Sequence, residues 1–133
     1  MLIVKTKIDQ STIAGIGLFA DQDISKGDIV WKMNSISVLK ISQRDYSNLS
    51  IIEQNFIQEK DYYWLDKDNN YMIPIDDSRF MNHSVNPNII DLDDNTCIAS
   101  QNIKQGEELT IDYKTLVTKE NWQDYYFAET TDT

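Results

Sequence analysis

The chain is poor in the residues that carry most covalent and metal chemistry. It has one cysteine, Cys97, one histidine, His83, and two prolines among its 133 residues. A lone thiol excludes an internal disulfide framework and a cysteine-based zinc cluster. Its neighbours in TCIA suit a small core residue instead. No Ser–His–Asp or Cys–His arrangement stands out, and no metal site is expected. Basic residues are also scarce, 12 Lys and Arg against 22 Asp and Glu, for a net charge of −10. Phosphate binding needs Lys and Arg, so direct contact with nucleic acid is not expected. An acidic surface suits a basic, lysine-rich partner through steering, or serves solubility alone. No apolar run approaches the roughly 18 residues that span a bilayer. The opening MLIVKTKIDQ lacks the basic region and long apolar core of a signal peptide. These absences lead to the expectation of an intracellular protein, of cytoplasm or nucleus, without membrane contact.

What is present reads as many short strands. The β-branched run at residues 2–8 predicts the first, and residues 18–20 predict the next, after Gly15 and Gly17 flank Ile16 in STIAGIGLFA. Alone, this GxG is only a turn signal, and without a third glycine or a following helix it is not a dinucleotide fingerprint. A turn at residues 25–27 leads to a strand at 28–33, with another at 35–41. Residues 42–60 read as one helical stretch, with Ser50 and Glu53 spaced as a capping box and Ile52, Phe56 and Ile57 on one face. YYWLD and YMIPI predict a hairpin across KDNN, with Pro74 at an edge or a strand end. NIIDL and TCIAS predict a second hairpin across residues 93–95, and a strand follows at 108–113. The tail carries Trp122, Tyr125, Tyr126 and Phe127. The length suits one domain, residues 1–133, with a core at about 3–115 and an aromatic tail at 116–133.

Residues 79–88 read RFMNHSVNPN, holding His83, Pro87 and two Asn-centred polar clusters beside apolar Phe80 and Met81. Such a stretch predicts a loop fixed by its own side chains and seated on a core, a good place for a ligand.

Three segments occur in order: GIG at 15–17, RFMNHSVNPN at 79–88 and GEELTIDY at 106–113. Together they resemble the SET-domain family of protein lysine methyltransferases. The likeness runs over about residues 3–115 and lacks the cysteine-rich flanking segments of many members. It implies a mainly β SET-domain fold, several small sheets around a pseudoknot with one short helical insert. It also implies S-adenosylmethionine as cofactor and the ε-amine of a lysine, in a basic peptide or histone-like tail, as acceptor.

Carried over by position, Gly15, Ile16 and Gly17 would contact the methionine part of the cofactor, and Arg79, Phe80, Asn82 and His83 would line the rest. Tyr113 would be the catalytic residue, its phenol oxygen orienting the methyl group beside the cofactor. A free lysine has a pKa of about 10.4, and desolvation beside a sulfonium lowers it, so no general base is compulsory. Aromatic walls hold a cation or methylated amine. Candidates for that channel are Met33, Tyr62, Tyr63, Trp64, Tyr71 and the tail aromatics, Trp122 and Tyr126 among them. Two departures matter: Val85 stands where many members have Cys, and Met33 where relatives often have a Tyr that helps set the number of methyl groups added. A non-catalytic module that binds cofactor or peptide is the competing expectation, and the uncovered edges of a minimal domain leave room for a homodimer.

Overall fold

The computed structural model describes residues 1–58, 63–92 and 95–116. The apolar run at the start of the chain serves two partners. Leu2 bridges Trp31, and the Ile3 N–H donates to the Val30 carbonyl at 2.9 Å. The polar strand β1 (Thr6–Gln10) instead pairs antiparallel with β2 (Ile16–Ala20), from Thr6↔Ala20 to Gln10↔Ile16. The predicted strand at 2–8 is therefore split, and β1 becomes a largely exposed edge. β3 is Ile29–Lys32 and β4 is Val38–Ile41.

The single helix expected at 42–60 is two. α1 (Gln43–Ser47) starts at the Ser42 cap, and α2 (Ile51–Gln58) starts at the predicted capping box. The Ser50 N–H donates to the Glu53 carboxylate at 3.0 Å, and the Glu53 N–H donates to the Ser50 hydroxyl at 3.2 Å. A capping box marks a helix start, so the preceding helix must end before it. Ile52 and Phe56, expected on a buried face, are 78% and 58% exposed.

β5 (Trp64–Leu65) and β6 (Tyr71–Pro74) join β4 in a small sheet ordered β4-β6-β5, with Pro74 at a strand end. The hairpin between them turns on Asp66, whose carboxylate accepts from the N–H groups of Asp68 and Asn70 at 2.9 Å each. The larger sheet runs β1-β2-β10-β8-β9-β3, with β7 also paired to β10. Here β7 is Asn82–His83, β8 Ile89–Asp91, β9 Thr96–Ala99 and β10 Glu108–Ile111. Antiparallel pairing of β8 with β9, from Ile89↔Ala99 to Asp91↔Cys97, bears out the second hairpin, although Asp93 and Asp94 of its turn lie outside the described residues. Leu18, Val30, Met81, Ile89, Leu109 and Ile111 are at most 1% exposed and form the centre of the core. Each such side chain contributes about 1.5–3 kcal/mol by leaving water.

β10 is the strand that positions the site. Along one edge, the Glu107 carbonyl accepts from the Ala20 N–H of β2 at 2.9 Å, and the Ile111 carbonyl accepts from the Ser84 N–H at 3.1 Å. Along the other edge, the Asn88 side chain donates to the Glu108 carbonyl and accepts from the Thr110 N–H, both at 2.9 Å. Successive residues of a strand point their backbone groups to opposite edges. The loop thus holds one edge of β10 through residues 82–84 and the other through 88–89. The turn between them has to pass across β10, which is the knot-like crossing expected of this loop.

Candidate active site

The hairpin joining β1 to β2 closes with the Ser11 N–H donating to the Gly15 carbonyl at 2.8 Å. Gly15 has φ +47°, a left-handed conformation that favours glycine. The role of Gly17 is different. A Cβ built there would lie 2.4 Å from a Glu108 carboxylate oxygen and 3.1 Å from the Asn82 amide nitrogen. Gly17 is therefore required for space rather than for backbone conformation.

Asn82 is 4% exposed, and its amide nitrogen faces Glu108 Oε2 at 2.9 Å, the Ala14 carbonyl at 3.0 Å and Ser11 Oγ at 3.1 Å. A carboxylate and a carbonyl only accept, so the NH2 side of the amide has to point this way. The three segments singled out in the sequence, the hairpin, the NHS loop and the GEEL strand, meet at this side chain.

The strand expected at 108–113 would end in Tyr113. The strand ends at Ile111, and Tyr113 opens a 3-10 turn, Tyr113–Leu116. The turn is set by Asp112, which accepts from the Lys114 N–H at 3.1 Å and from the Thr115 N–H at 3.0 Å. The reversal brings Tyr113, 5% exposed, back onto the NHS loop. Its hydroxyl donates to the Met81 carbonyl at 2.6 Å, and its N–H donates to His83 Nδ1 at 3.0 Å. The two rings lie 5.3 Å apart. Residues 30 positions apart in sequence thus share one buried polar cluster.

Because Nδ1 accepts, His83 is held as neutral imidazole there. Burial pushes its pKa below the usual 6.5, against Asp112, which raises it, and with Lys114, which lowers it further. The 3.7 Å approach of Asp112 Oδ1 to Nδ1 is thus not an ion pair at neutral pH. The folded protein binds a proton here less readily than the unfolded chain. This contribution to stability is complete above 6.5 and declines as pH falls through 6.5 toward the lowered folded-state value. Urea midpoints measured across that window should fall on acidification, and His83→Gln should flatten the fall. An unchanged slope in the variant would remove His83 as its source.

The other expected site residues are scattered. Ile16 is 47% exposed, on the outer side of the hairpin. Arg79 turns toward α2, its guanidinium 4.7 Å from the Phe56 ring centroid and 5.9 Å from that of Phe80. Tyr71 stacks on Tyr46 at 4.1 Å and lies 5.6 Å from Tyr63. Met33 lines a small cavity of about 80 Å³ with Trp31, Trp64, Pro74 and Cys97, and Tyr113 is not among its walls. Burial, with Asp91 beside it, pushes the Cys97 thiol well above its ordinary pKa, as fits a core residue. Trp122 and Tyr126, with Tyr62, lie outside the described residues. No group of three or more His, Cys, Asp or Glu able to hold a metal occurs among the described residues. Ser11 and Glu108, both part of the cluster at Asn82, carry no local signal of their contact in the sequence, because it spans 97 positions.

A family profile described as SET domain matches residues 15–114. The chain belongs to the SET-domain family. Among proteins similar to this SET domain is a Candida albicans histone-lysine N-methyltransferase, H3 lysine-36 specific, 30% identical over 120 residues. That match covers 82% of this chain but 14% of the relative, so the SET domain spans about a seventh of that protein's length. A Plasmodium falciparum candidate histone methyltransferase of known crystal structure superposes with a TM-score of 0.59 at 23% identity, over 83% of this chain and 93% of the other. A Neurospora SET domain histone lysine methyltransferase superposes with a TM-score of 0.58 at 18% identity, over 84% and 53%. Both likenesses support the SET fold, with its curled sheets and few helices.

S-adenosylmethionine, the cofactor that the SET family implies, would find this hairpin open on one side only. Its inner side is closed by Glu108 at Gly17, whereas a Cβ at Gly15 would meet no atom within 4 Å. The hairpin therefore has room for a ligand at Gly15.

Proposed function

We propose that this SET domain is a protein-lysine N-methyltransferase that uses S-adenosylmethionine, with a lysine in a basic peptide or histone-like tail as acceptor. The observation that carries the reading is the double contact of Tyr113 with the NHS loop, through its hydroxyl on Met81 and its N–H on His83. The bound cofactor supplies an activated methyl group. Gly15, Ile16 and Gly17 would hold its methionine part, and Phe80, Asn82 and His83 would form the adjoining wall. Arg79 would stiffen that wall from behind, against Phe56. Tyr113 would hold its hydroxyl at the reaction centre, where alignment supplies most of the acceleration. Met33 and Tyr71, with Trp122 and Tyr126 of the tail, remain the proposed channel residues. The net charge of −10 favours encounter with a basic acceptor.

The chain is read as one domain, residues 1–133, with its core at about 3–115. Among the described residues no helix is long and apolar enough to cross a membrane, and a cytoplasmic or nuclear site suits a histone-like acceptor. The apolar residues exposed on α2 leave a face for a second copy of the chain.

The reading is tested by incubating the protein with methyl-tritiated cofactor and lysine-rich proteins, then mapping label by tandem mass spectrometry. Label on a lysine side chain is expected. Cofactor binding without transfer to any lysine would favour a non-catalytic module instead.

A further inference from the structure

The Glu108 carboxylate is the centre of a cluster drawn from three separate segments. Ser11 Oγ donates to it, 2.8 Å from each oxygen, and Asn82 Nδ2 donates to Oε2 at 2.9 Å. Ser11 Oγ in turn accepts from the Ile13 N–H at 2.9 Å and the Ala14 N–H at 3.3 Å, so one hydroxyl folds the hairpin loop around itself. Asn82 reaches the same loop from the other side, at the Ala14 carbonyl, 3.0 Å away. Glu108 has no Lys or Arg in ion-pair range among the described residues, where the charged pairs are Lys40–Asp66 and His83–Asp112. Gly17 has no side chain where Glu108 stands.

We propose that Ser11, Asn82 and Glu108 form a clasp that presets the backbone of residues 13–17 for the cofactor, with Ser11 and Glu108 as positioning residues. The inference rests on reading that hairpin as the cofactor's surface. An ionised carboxylate is the one side-chain group that accepts from a hydroxyl and an amide NH2 together while presenting no donor to either. Hydrogen bonds to an ionised acceptor are roughly twice as strong as neutral ones. A loop that is already ordered does not lose that freedom when a ligand binds, so the clasp acts on affinity. Ser11→Ala removes the hydroxyl that links loop to carboxylate without adding bulk. Ser11→Thr restores it.

The experiment is calorimetric titration of S-adenosylmethionine into the unmodified chain, Ser11→Ala, Ser11→Thr and Glu108→Gln, with thermal melting of each. Ser11→Ala should weaken binding by on the order of tenfold, the worth of about one hydrogen bond to a charged group. Ser11→Thr should recover most of that loss. Glu108→Gln, whose NH2 has to face another donor or the already occupied Ser11 oxygen, should weaken binding at least as much as Ser11→Ala. Affinity unchanged in Ser11→Ala, with or without a lower melting temperature, overturns the clasp. Absence of binding by the unmodified chain is a different failure, because it removes the cofactor surface itself and the clasp's role with it.

Discussion

Tyr113→Phe should lower methyl transfer by on the order of 10²- to 10³-fold, the usual consequence of removing one preorganised hydrogen-bonding group from a reaction centre. The substitution has a structural cost as well. The hydroxyl it deletes is the donor to the Met81 carbonyl, and Met81 is 1% exposed. An unsatisfied buried carbonyl costs about 1–3 kcal/mol, which a domain stable by roughly 5–15 kcal/mol survives. The backbone bond from Tyr113 to His83 does not depend on the phenol and should persist. The variant is therefore expected to fold, melt somewhat earlier and bind cofactor with little change, while single-turnover transfer is slow. Near-normal turnover would remove Tyr113 from the chemistry. A loss in cofactor affinity as large as the loss in rate would recast it as a binding residue.

Gly17→Ala should abolish measurable cofactor binding, whereas Gly15→Ala should not destroy the fold. At Gly17 the added carbon would stand 2.4 Å from Glu108 Oε2 and 2.9 Å from its Cδ. The carboxylate can yield only by leaving Ser11 and Asn82, which breaks the cluster that joins hairpin, loop and strand. Overpacking of this kind costs about 1–3 kcal/mol in stability, and it displaces the backbone that meets the ligand. At Gly15 the same carbon meets nothing within 4 Å, and the cost is the left-handed backbone alone, about 1–2 kcal/mol. Calorimetry and thermal melting of the two variants separate the mechanisms. Equal behaviour would show that space at Gly17 is not what matters.

The contrast between those glycines marks the limit of the sequence. GIG, RFMNHSVNPN and GEELTIDY are legible as linear patterns, and the fold brings those three segments together at Asn82. Their contacts were not legible, because register between distant strands is not encoded in local spacing. That Asn88 holds the far edge of β10 depends on the loop crossing the strand, which no periodicity reports. Leu109, Ile111 and Tyr113 alternate as strand residues do, but Asp112 caps a 3-10 turn there and reverses the ring toward Met81. The capping box at Ser50 is visible in the sequence, but the apolar spacing that runs on through it hides the second helix start. Ser11 carried no signal at all, being a small polar residue in a loop whose partner lies 97 positions away.

We read the hairpin, the NHS loop and the end of β10 as one cofactor surface. Its most direct measurement is a nuclear magnetic resonance titration of the full chain with S-adenosylmethionine, following backbone amides. Amides of Gly15, Ile16, Gly17, Asn82, His83 and Tyr113 should shift together and saturate with one dissociation constant. Shifts confined to the exposed face of α2, or no saturable shifts in any of these three segments, would contradict it.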